Sequence, residues 1–322
     1  MLSFQDISEI INTAIAELPF PAQPARLYEP IRYTMALGGK RIRPAMALMA
    51  CNIFSDDSEK AVPAALALEI FHNFTLLHDD IMDNAPIRRG KPTVHSRWDS
   101  NTAILSGDAM QILAYQHLSA LDSNLLPTIL PIFNTMALEI CEGQQLDMDF
   151  ETRNDVTIEQ YIEMIRLKTA VLLGSALKIG ALIGGAKPSD ADDLYRFGVD
   201  TGLAFQLQDD LLDVYGDQNT FGKQIGSDIL CNKKTFMLIT AQQNANNTVA
   251  TELQKWLAAK PNEEKIQAIT KIYDTINVKT ICEEKIRHFH NIAFAALDEI
   301  SATDEKKSIL RKFSVDLLNR NK

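Results

Sequence analysis

The chain has 322 residues and a formal net charge of −10, because 42 aspartates and glutamates outnumber 32 lysines and arginines. This acidic excess argues against nucleic acid or an anionic membrane surface as the partner, since both favour proteins with net positive charge. A hydrophobic content of 46% suffices for a sizeable core, whereas 14 glycines, 12 prolines and 7% aromatic residues disfavour a turn-rich all-β protein.

The N-terminal residues and the cysteines bear on the compartment. The first ten residues, MLSFQDISEI, carry Asp6 and Glu9 where a signal peptide needs a basic start and an apolar run. The cysteines are far apart and match neither a zinc pattern nor a disulfide framework; they are Cys51, Cys141, Cys231 and Cys282. We therefore expect a cytoplasmic protein. The apolar stretch 170–186 contains Lys178 and several small residues, so we expect a core helix there and no membrane span.

Helical periodicity runs through most of the chain. In segment 278–300 the apolar residues recur at spacings of three, four and seven, which trace one helix face; they are Val278, Cys282, Phe289, Ala293, Ala296 and Ile300. The sequence has no convincing alternating strand and no phosphate-binding glycine loop, and prolines and glycines fall between the apolar stripes. We expect an all-α protein in which residues 1–322 form a single large helical bundle with a deep central cavity.

The first motif in chain order is GGKRIRP, residues 38–44. It presents Lys40, Arg41 and Arg43 at the junction of a loop with a helix, where free backbone N–H groups also favour anions. The alternative interpretation is a solvated turn.

An aspartate cluster follows in the segment FHNFTLLHDDIMD, at the end of an apolar helix. At 100° per residue, His72, Asp79 and Asp83 share one helix face. An acidic helix end facing water would have the same pattern, but the apolar helix before it favours the mouth of a buried element. Arg88 and Arg89 follow Asp83 at five and six residues, in a loop that by itself would be an ordinary surface loop.

A second cluster lies about 130 residues further on, in GLAFQLQDDLLDVYG. Spacings of i, i+3, i+4 and i+7 place four polar residues on one face; they are Gln206, Asp209, Asp210 and Asp213. Lys168 and Thr169 interrupt an apolar helix before it, and Lys223 and Lys233 follow it. Lysines that extend from an apolar surface to water would explain each cation equally well.

The charges within the two clusters predict bound cations. Two carboxylates about 6 Å apart repel by roughly 3 kcal/mol at an effective dielectric near 20, and protonating one at neutral pH costs about 4 kcal/mol. All-oxygen ligands beside basic residues favour Mg²⁺ over zinc or copper. The pattern therefore predicts a cavity that binds polyanions through metal ions, and the apolar helices indicate a hydrocarbon that carries a diphosphate.

Seven motifs in this order resemble the trans-isoprenyl diphosphate synthase family, of the short-chain farnesyl or geranylgeranyl type. They are GGKRIRP, HNFTLLHDDIMD, RRGKPTVH, LKT, FQLQDDLLD, GKQIGSD and KKT, which together span residues 38–235. The resemblance implies a prenyltransferase that condenses isopentenyl diphosphate with dimethylallyl, geranyl or farnesyl diphosphate. It also implies three Mg²⁺ per active site and a homodimer.

The resemblance also implies individual roles. Isopentenyl diphosphate would be bound by Lys40, Arg43, His72 and Arg89. The allylic diphosphate would be contacted by Arg88, Lys168, Lys223 and Lys233, with Thr169 and Gln206 facing the reacting carbons. Three Mg²⁺ would bridge the oxygens of the allylic diphosphate to Asp79, Asp83 and Asp209. Three further aspartates, Asp80, Asp210 and Asp213, would complete or support the metal sites.

The resemblance also bears on product length. Phe74 lies five residues before Asp79 and is followed by Thr75. Relatives that make long chains usually carry a small residue at this position, so we expect Phe74 to limit the product to C15 or C20, with C20 favoured. An ordinary core phenylalanine is the alternative. Lys234 competes with Lys233 for the diphosphate, because the motif here reads Asn-Lys-Lys-Thr.

Other functions fit the motifs less well. A terpene cyclase would normally lack DDLLD and the GGKRIRP loop, and a head-to-head synthase would show D-x-x-x-D pairs. A non-catalytic synthase subunit would tend to lose motif aspartates, yet all six are present.

Overall fold

A computed structural model describes residues 2–216 and 225–318, and most of these residues lie in helices, which confirms the all-α expectation. The helices of the first two thirds are α1 Phe4–Ala16, α2 Ala25–Ala36, α3 Ile42–Phe54, α4 Val62–Met82, α5 Val94–Arg97, α6 Ser100–Leu118, α7 Leu126–Thr152, α8 Ile158–Ile165, α9 Val171–Gly184 and α10 Pro188–Tyr215. The remaining helices are α11 Ser227–Leu230, α12 Phe236–Asn244, α13 Asn247–Leu257, α14 Glu263–Thr275, α15 Val278–Glu299 and α16 Asp304–Leu318. A 3₁₀ turn, Glu59–Ala61, precedes α4, and a π-helical turn, Arg166–Ala170, joins α8 to α9.

A short hairpin follows α4, where sequence analysis found no strand. Strand β1, Ile87–Arg88, pairs antiparallel with β2, Lys91–Pro92. The turn residues Arg89 and Gly90 both have positive φ, 53° and 72°, as a two-residue type I′ hairpin turn requires. The strands escaped prediction because two residues are too few to show an alternating pattern.

The described residues divide into two compact units. The first contains residues 2–135, 172–195 and 299–311, and the second contains residues 136–171, 196–216, 225–298 and 312–318.

Helix α4 is the buried centre of the first unit. Every residue from Ala64 to Phe71 is buried, as expected for a helix that is apolar on all sides. Helices α3 and α6 pack against it. The polar C-terminal end of α4 carries the first aspartate motif. It is therefore held in place by the buried apolar part of the same helix.

In the second unit, the predicted stripe of α15 is confirmed. Its buried residues include Val278, Cys282, Phe289, Ala293 and Ala296. Val278, Cys282 and Phe289 belong to a core cluster that also contains Leu207 and Leu211, from the C-terminal part of α10. This core holds the helix that carries the second aspartate motif.

Two prolines, Pro30 in α2 and Pro131 in α7, lie inside helices, so breakers do not fall only between the apolar stripes. Both occupy the second turn, where a missing N–H removes a single hydrogen bond near the helix start.

One helical stretch, Ile158–Gly184, is long and apolar enough to cross a membrane by length and composition. This helical stretch is longer than the apolar segment 170–186 considered in the sequence, because α8, the π-helical turn and α9 are continuous. Of its most apolar window, 78% is buried within the protein, and Lys178 forms an ion pair with Asp192 at 2.6 Å. Core packing therefore accounts for its composition.

Candidate active site

The first aspartate motif lies at the C-terminal end of α4. Asp83 caps the helix and donates its backbone N–H to the carbonyl of Asp79 at 2.9 Å. The Asp79 side chain is 17% exposed and Asp83 is exposed, whereas the Asp80 side chain is only 7% exposed. Two of the three carboxylates can therefore meet a ligand, and the middle one faces the protein.

Arg88 on β1 forms ion pairs with two carboxylates of the first motif. Its Nε donates to Oδ1 of Asp80 at 2.7 Å, and its Nη2 donates to Oδ2 of Asp79 at 3.3 Å. Burial raises the pKa of Asp80 to about 6, although Arg88 opposes that rise. The hairpin is what returns Arg88 to the aspartates that precede it by eight and nine residues.

The loop 38–41 and the hairpin turn meet in the first unit. Arg89 donates through Nη1 to the carbonyl of Gly38. Gly39 has a φ of 137°, and a Cβ at this position would come within 3.0 Å of the Arg89 guanidinium. A side chain here would therefore separate two segments that both carry predicted diphosphate ligands.

Arg41 and Glu69 hold the base of this loop; the sequence placed Arg41 among the cations of the motif but gave no role to Glu69. Arg41 adopts a left-handed conformation at the start of α3, with a φ of 47°, and forms an ion pair with the buried Glu69. It also donates to the carbonyl of Met35 at 2.6 Å. A glutamate within the apolar run that precedes His72 was the available signal, because a buried carboxylate needs a partner.

His72 lies among arginines. Its pKa is lowered well below the usual value, first by burial and then by Arg43, Arg89, Arg88 and Arg41. The imidazole is therefore neutral at physiological pH and can accept or donate a hydrogen bond without adding charge. The structure thus brings the predicted residues His72, Arg43 and Arg89 into one basic region of the first unit.

In the second motif, which lies in the second unit, the buried carboxylate accepts hydrogen bonds from neutral donors. Asp210 on α10 is 4% exposed; it accepts from the hydroxyl of Tyr161, and from Nε2 of Gln206 at 3.3 Å. Burial, followed by the charge of Asp228, raises the pKa of Asp210 to about 7. Burial also raises the pKa of Tyr161 well above its usual value, so this hydroxyl remains a donor. Nothing in the sequence distinguished Tyr161 from a core residue.

Both oxygens of Asp213 are engaged within the protein. Ser227 donates its hydroxyl to Oδ1 at 2.6 Å, and the backbone N–H of Asp228 donates to Oδ2 at 3.0 Å. Asp213 is 4% exposed, whereas Asp209 is partly exposed. Of the three predicted metal ligands in this motif, Asp209 is thus the one whose side chain is not enclosed.

The predicted pair Lys168 and Thr169 lies in the π-helical turn. Such turns often occur at functional sites, because the extra residue redirects side chains out of the helix. Thr169 donates to Oε1 of Gln206 at 3.3 Å, which links it to Asp210. On α7, a Cβ at Gly143 would come 2.3 Å from the backbone nitrogen of Lys168. Only glycine allows α7 to approach the turn this closely.

Asp147, which sequence analysis missed, gathers two of the predicted cations. Its Oδ2 accepts from Nζ of Lys168 at 2.7 Å and lies 3.6 Å from Nζ of Lys233. Burial raises the pKa of Asp147, but the two lysines outweigh that effect and the net shift is downward. Its position four residues after Gly143 on an otherwise polar helix segment was too common a pattern to indicate this role.

Phe74 and Thr75 lie one turn before the first motif. Phe74 is 8% exposed, and its ring contacts His78 and Phe71 at centroid distances of 4.8 and 5.3 Å. Phe71 in turn packs on Phe133 of α7 at 5.2 Å. Thr75 donates its hydroxyl to the carbonyl of His72 at 2.8 Å. Phe74 is therefore held in one position by an aromatic cluster.

Lys223, a predicted ligand of the allylic diphosphate, lies outside the described residues.

The residues of both motifs fit Mg²⁺ that binds together with a diphosphate. Within 2–216 and 225–318, no three His, Cys, Asp or Glu side chains come together in a way that could hold a metal ion by themselves. Mg²⁺ typically takes one or two carboxylates and completes its shell with water and substrate phosphate oxygens. The accessible carboxylates match this requirement: the first motif offers Asp79 and Asp83, and the second offers Asp209.

Comparison with known proteins agrees with these motifs. The polyprenyl synthetase family model matches residues 24–276. The geranylgeranyl diphosphate synthase of Methanosarcina mazei is 43% identical over 236 residues, which cover 73% of each chain.

The chain belongs to the polyprenyl synthetase family.

Solved structures of family members extend the match to the whole chain. A crystal structure of a geranylgeranyl pyrophosphate synthase is 41% identical, covers both chains completely and superposes with a TM-score of 0.95. The geranylgeranyl pyrophosphate synthase of Corynebacterium glutamicum, solved in complex with isoprenyl diphosphate and magnesium, is 28% identical over 98% of this chain and 97% of its own, with a TM-score of 0.83. The C-terminal third, which carries no motif, therefore has the fold of this family as well.

Proposed function

We propose that this protein is a Mg²⁺-dependent prenyltransferase that condenses isopentenyl diphosphate with allylic diphosphates, head to tail and in the trans configuration, to form geranylgeranyl diphosphate. The observation that carries the proposal is the pairing of carboxylates with cations in each unit. Arg88 contacts Asp79 and Asp80 in the first unit, and Lys168 and Lys233 share Asp147 in the second. Similarity to geranylgeranyl diphosphate synthases supports the reaction and favours C20 over a farnesyl product.

The proposed roles follow the charge of each region. Lys40, Arg43, His72 and Arg89 bind the diphosphate of isopentenyl diphosphate, and the neutral His72 adds a hydrogen bond among the cations. Arg88, Lys168, Lys233 and Lys223 bind the allylic diphosphate. The Asp147 contact supports Lys233 over Lys234 for this role.

The reaction breaks the allylic carbon–oxygen bond, so that the diphosphate leaves with the bonding electrons. The double bond of isopentenyl diphosphate then attacks the allylic cation, and the released diphosphate takes the proton whose loss forms the new double bond. Mg²⁺, when bound, supplies positive charge that stabilises the leaving diphosphate. Arg88 and the lysines proposed above add fixed positive charge that stabilises the leaving group as its negative charge develops.

The reaction also requires that water be excluded from the site, because water would react with the allylic cation. The helical segment before the first aspartate motif is apolar and buried, as in Ala64–Phe71 of α4. Thr169 and Gln206 are hydrogen-bonded to each other, and Gln206 also to Asp210, which supports a fixed orientation for the role proposed for them at the substrate carbons.

A turnover assay tests the function. The purified protein is incubated with Mg²⁺, isopentenyl diphosphate and, separately, dimethylallyl, geranyl or farnesyl diphosphate, and products are resolved by chromatography. We expect a C20 product, and we expect EDTA to abolish it. Absence of diphosphate release would refute prenyl transfer, and a product that stops at C15 would refute the proposed length.

Product length is assigned to Phe74. Phe74→Ala removes a buried ring next to the first motif, so we expect products longer than C20 as the main species, measured by chromatography. Phe197→Ala is the matched control, since Phe197 is 1% exposed and lies in the other unit; it should lower stability without lengthening the product. An unchanged product distribution in Phe74→Ala would remove this residue from the role.

A homodimer is also proposed. Helix α6 exposes three large apolar side chains, Ile104, Leu105 and Ile112, at 45, 60 and 63%. Leu130 in the first turns of α7 is 37% exposed. Apolar patches of this kind often mark protein interfaces. Light scattering after size exclusion should give twice the mass of the chain, 35.9 kDa; a monomer at micromolar concentration would contradict the proposal.

The remaining proposals are coarser. A cytoplasmic location is supported by the four cysteines, all of which are free thiols. The family match runs through residues of both compact units, which supports one synthase domain comprising residues 1–322.

A further inference from the structure

Three charged side chains from three different elements meet in the second unit. Asp147 comes from α7, Lys168 from the π-helical turn, and Lys233 from the segment between α11 and α12. The side chain of Asp147 is 15% exposed, that of Lys168 is 23% exposed and that of Lys233 is 43% exposed. One largely enclosed carboxylate therefore contacts two ammonium groups that remain accessible to solvent.

The backbone around this contact is tightly constrained. Gly143 and Asp147 are four residues apart and so share one face of α7. Gly143 lies against the backbone of Lys168, where there is no space for a Cβ. The close approach at Gly143 fixes the distance between α7 and the π-helical turn, and Asp147 reaches the lysine side chain one turn further along.

We propose that Asp147 is a positioning residue for the diphosphate-binding lysines, an inference that rests on the function proposed above. Its carboxylate holds Lys168 and Lys233 side by side before substrate binds. A lysine side chain is flexible, and two ammonium groups repel each other. Without Asp147 the two lysines separate, and the diphosphate must order them as it binds.

A purely electrostatic role for Asp147 predicts the opposite effect of its removal on substrate binding, so the two roles can be distinguished. A carboxylate near a polyanion repels it, so if Asp147 acted only through its charge, its removal would strengthen binding of the allylic diphosphate. If it acts by positioning, its removal weakens that binding. The sign of the change in KM separates the two.

The experiment compares Asp147→Asn with wild type in steady-state assays with Mg²⁺, isopentenyl diphosphate and geranyl diphosphate. We expect the KM for geranyl diphosphate to rise about tenfold and the KM for isopentenyl diphosphate to change less than twofold. Asp149→Asn is the matched control, because Asp149 lies on α7 two residues away and its exposed carboxylate contacts Gln145 instead. It should leave both constants unchanged. A lower or unchanged KM for geranyl diphosphate in Asp147→Asn would overturn the proposal.

A double-mutant cycle tests whether Asp147 acts through the lysines. Lys233→Met keeps the length of the side chain and removes its charge. In the Lys233→Met background we expect Asp147→Asn to raise the KM for geranyl diphosphate by less than threefold, since one of the two groups that it positions is gone. A full tenfold rise in that background would mean that Asp147 acts independently of Lys233, and the proposal would fail.

Two further measurements keep the outcome interpretable. If Asp147→Asn does not fold, as judged by its circular dichroism melt, Asp147→Ser, which also removes the carboxylate, replaces it in the same cycle with the same criterion. If the wild-type protein elongates no allylic diphosphate, the proposed function fails on that result alone. Calorimetric titration with Mg²⁺ and inorganic pyrophosphate then still tests Asp147, and tenfold weaker binding by Asp147→Asn is the expected result; equal binding would overturn the proposal.

Discussion

In the first aspartate motif Asp80 is buried against the guanidinium of Arg88, whereas in the second motif Asp210 is buried against the neutral groups of Tyr161 and Gln206. The pKa of Asp80 rises to about 6 and that of Asp210 to about 7, in both cases mainly because of burial. A cation offsets part of the cost of burying the first carboxylate, while the nearby charge of Asp228 adds to the cost of the second. Identical D-D-x-x-D strings can thus differ in charge near neutral pH.

The last aspartates differ as well. Asp83 is exposed and ends its helix, while Asp213 is enclosed by Ser227 and the backbone N–H of Asp228. The first motif therefore offers two accessible carboxylates and the second offers Asp209, although their spacing is the same.

The largest effect predicted from this comparison is on stability as a function of pH. The folded-state pKa of Asp210 lies above its value of 3.8 in the unfolded chain, so between these values the folded protein binds the extra proton and stability falls as pH rises. Asp210→Asn removes this dependence. Between pH 5 and pH 8, in EDTA, we expect urea unfolding to show the variant gaining roughly 3 kcal/mol relative to wild type.

Asp80→Asn provides the matching measurement for the first motif. Its lower pKa predicts a gain of roughly half that size, because only the interval from pH 5 to about 6 contributes. Equal gains in the two variants would mean that Arg88 does not distinguish the motifs.

The next effect concerns turnover. Asp79→Asn removes an accessible carboxylate of the first motif, so we expect turnover to fall at least a hundredfold, which is at least about 2.7 kcal/mol of activation free energy, with little change in urea stability. Asp213→Asn should instead lower the free energy of unfolding by about 1–3 kcal/mol, because a buried hydrogen-bonded carboxylate is lost. If Asp79→Asn were equally destabilised, the division into accessible and enclosed aspartates would be wrong.

The smallest predicted effect isolates the neutral partner of Asp210. Tyr161→Phe removes one donor to this carboxylate, and we expect a loss of about 1–2 kcal/mol at pH 8, where Asp210 is ionised. At pH 5 the loss should be smaller, because the protonated carboxyl needs the donor less. Tyr115→Phe is the matched control, since Tyr115 donates to the neutral Asn134 at 2.8 Å and its loss should not vary with pH. A pH-independent loss in Tyr161→Phe would contradict the raised pKa of Asp210.

The presence of helices and the identity of many core residues could be predicted from the sequence, because both depend on local periodicity. The stripe of α15 is an example, as is the apolar run of α4 that ends at Asp79. Strands of two residues could not be predicted because they are too short to show an alternating pattern. The helical positions of Pro30 and Pro131 could not be predicted either, because a proline in the second turn of a helix costs only one hydrogen bond and need not end the helix.

The contacts of the site were less predictable than its residues. The motif order identified Lys168, Gln206 and Arg88, yet it gave no indication that Asp147 would join Lys168 to Lys233 or that Tyr161 would bind Asp210. These partners lie 21 to 86 residues apart, and no spacing rule applies over such separations.

By itself, the sequence determined the helical class, the two aspartate motifs and the basic residues that follow them, because each depends on residues within a few turns of one another. Only the tertiary structure decided which carboxylates are enclosed, which are neutralised by arginine and which are held by neutral donors. Burial and charge depend on neighbours that packing brings together from distant parts of the chain, and the same five-residue pattern therefore acquired two different electrostatic environments.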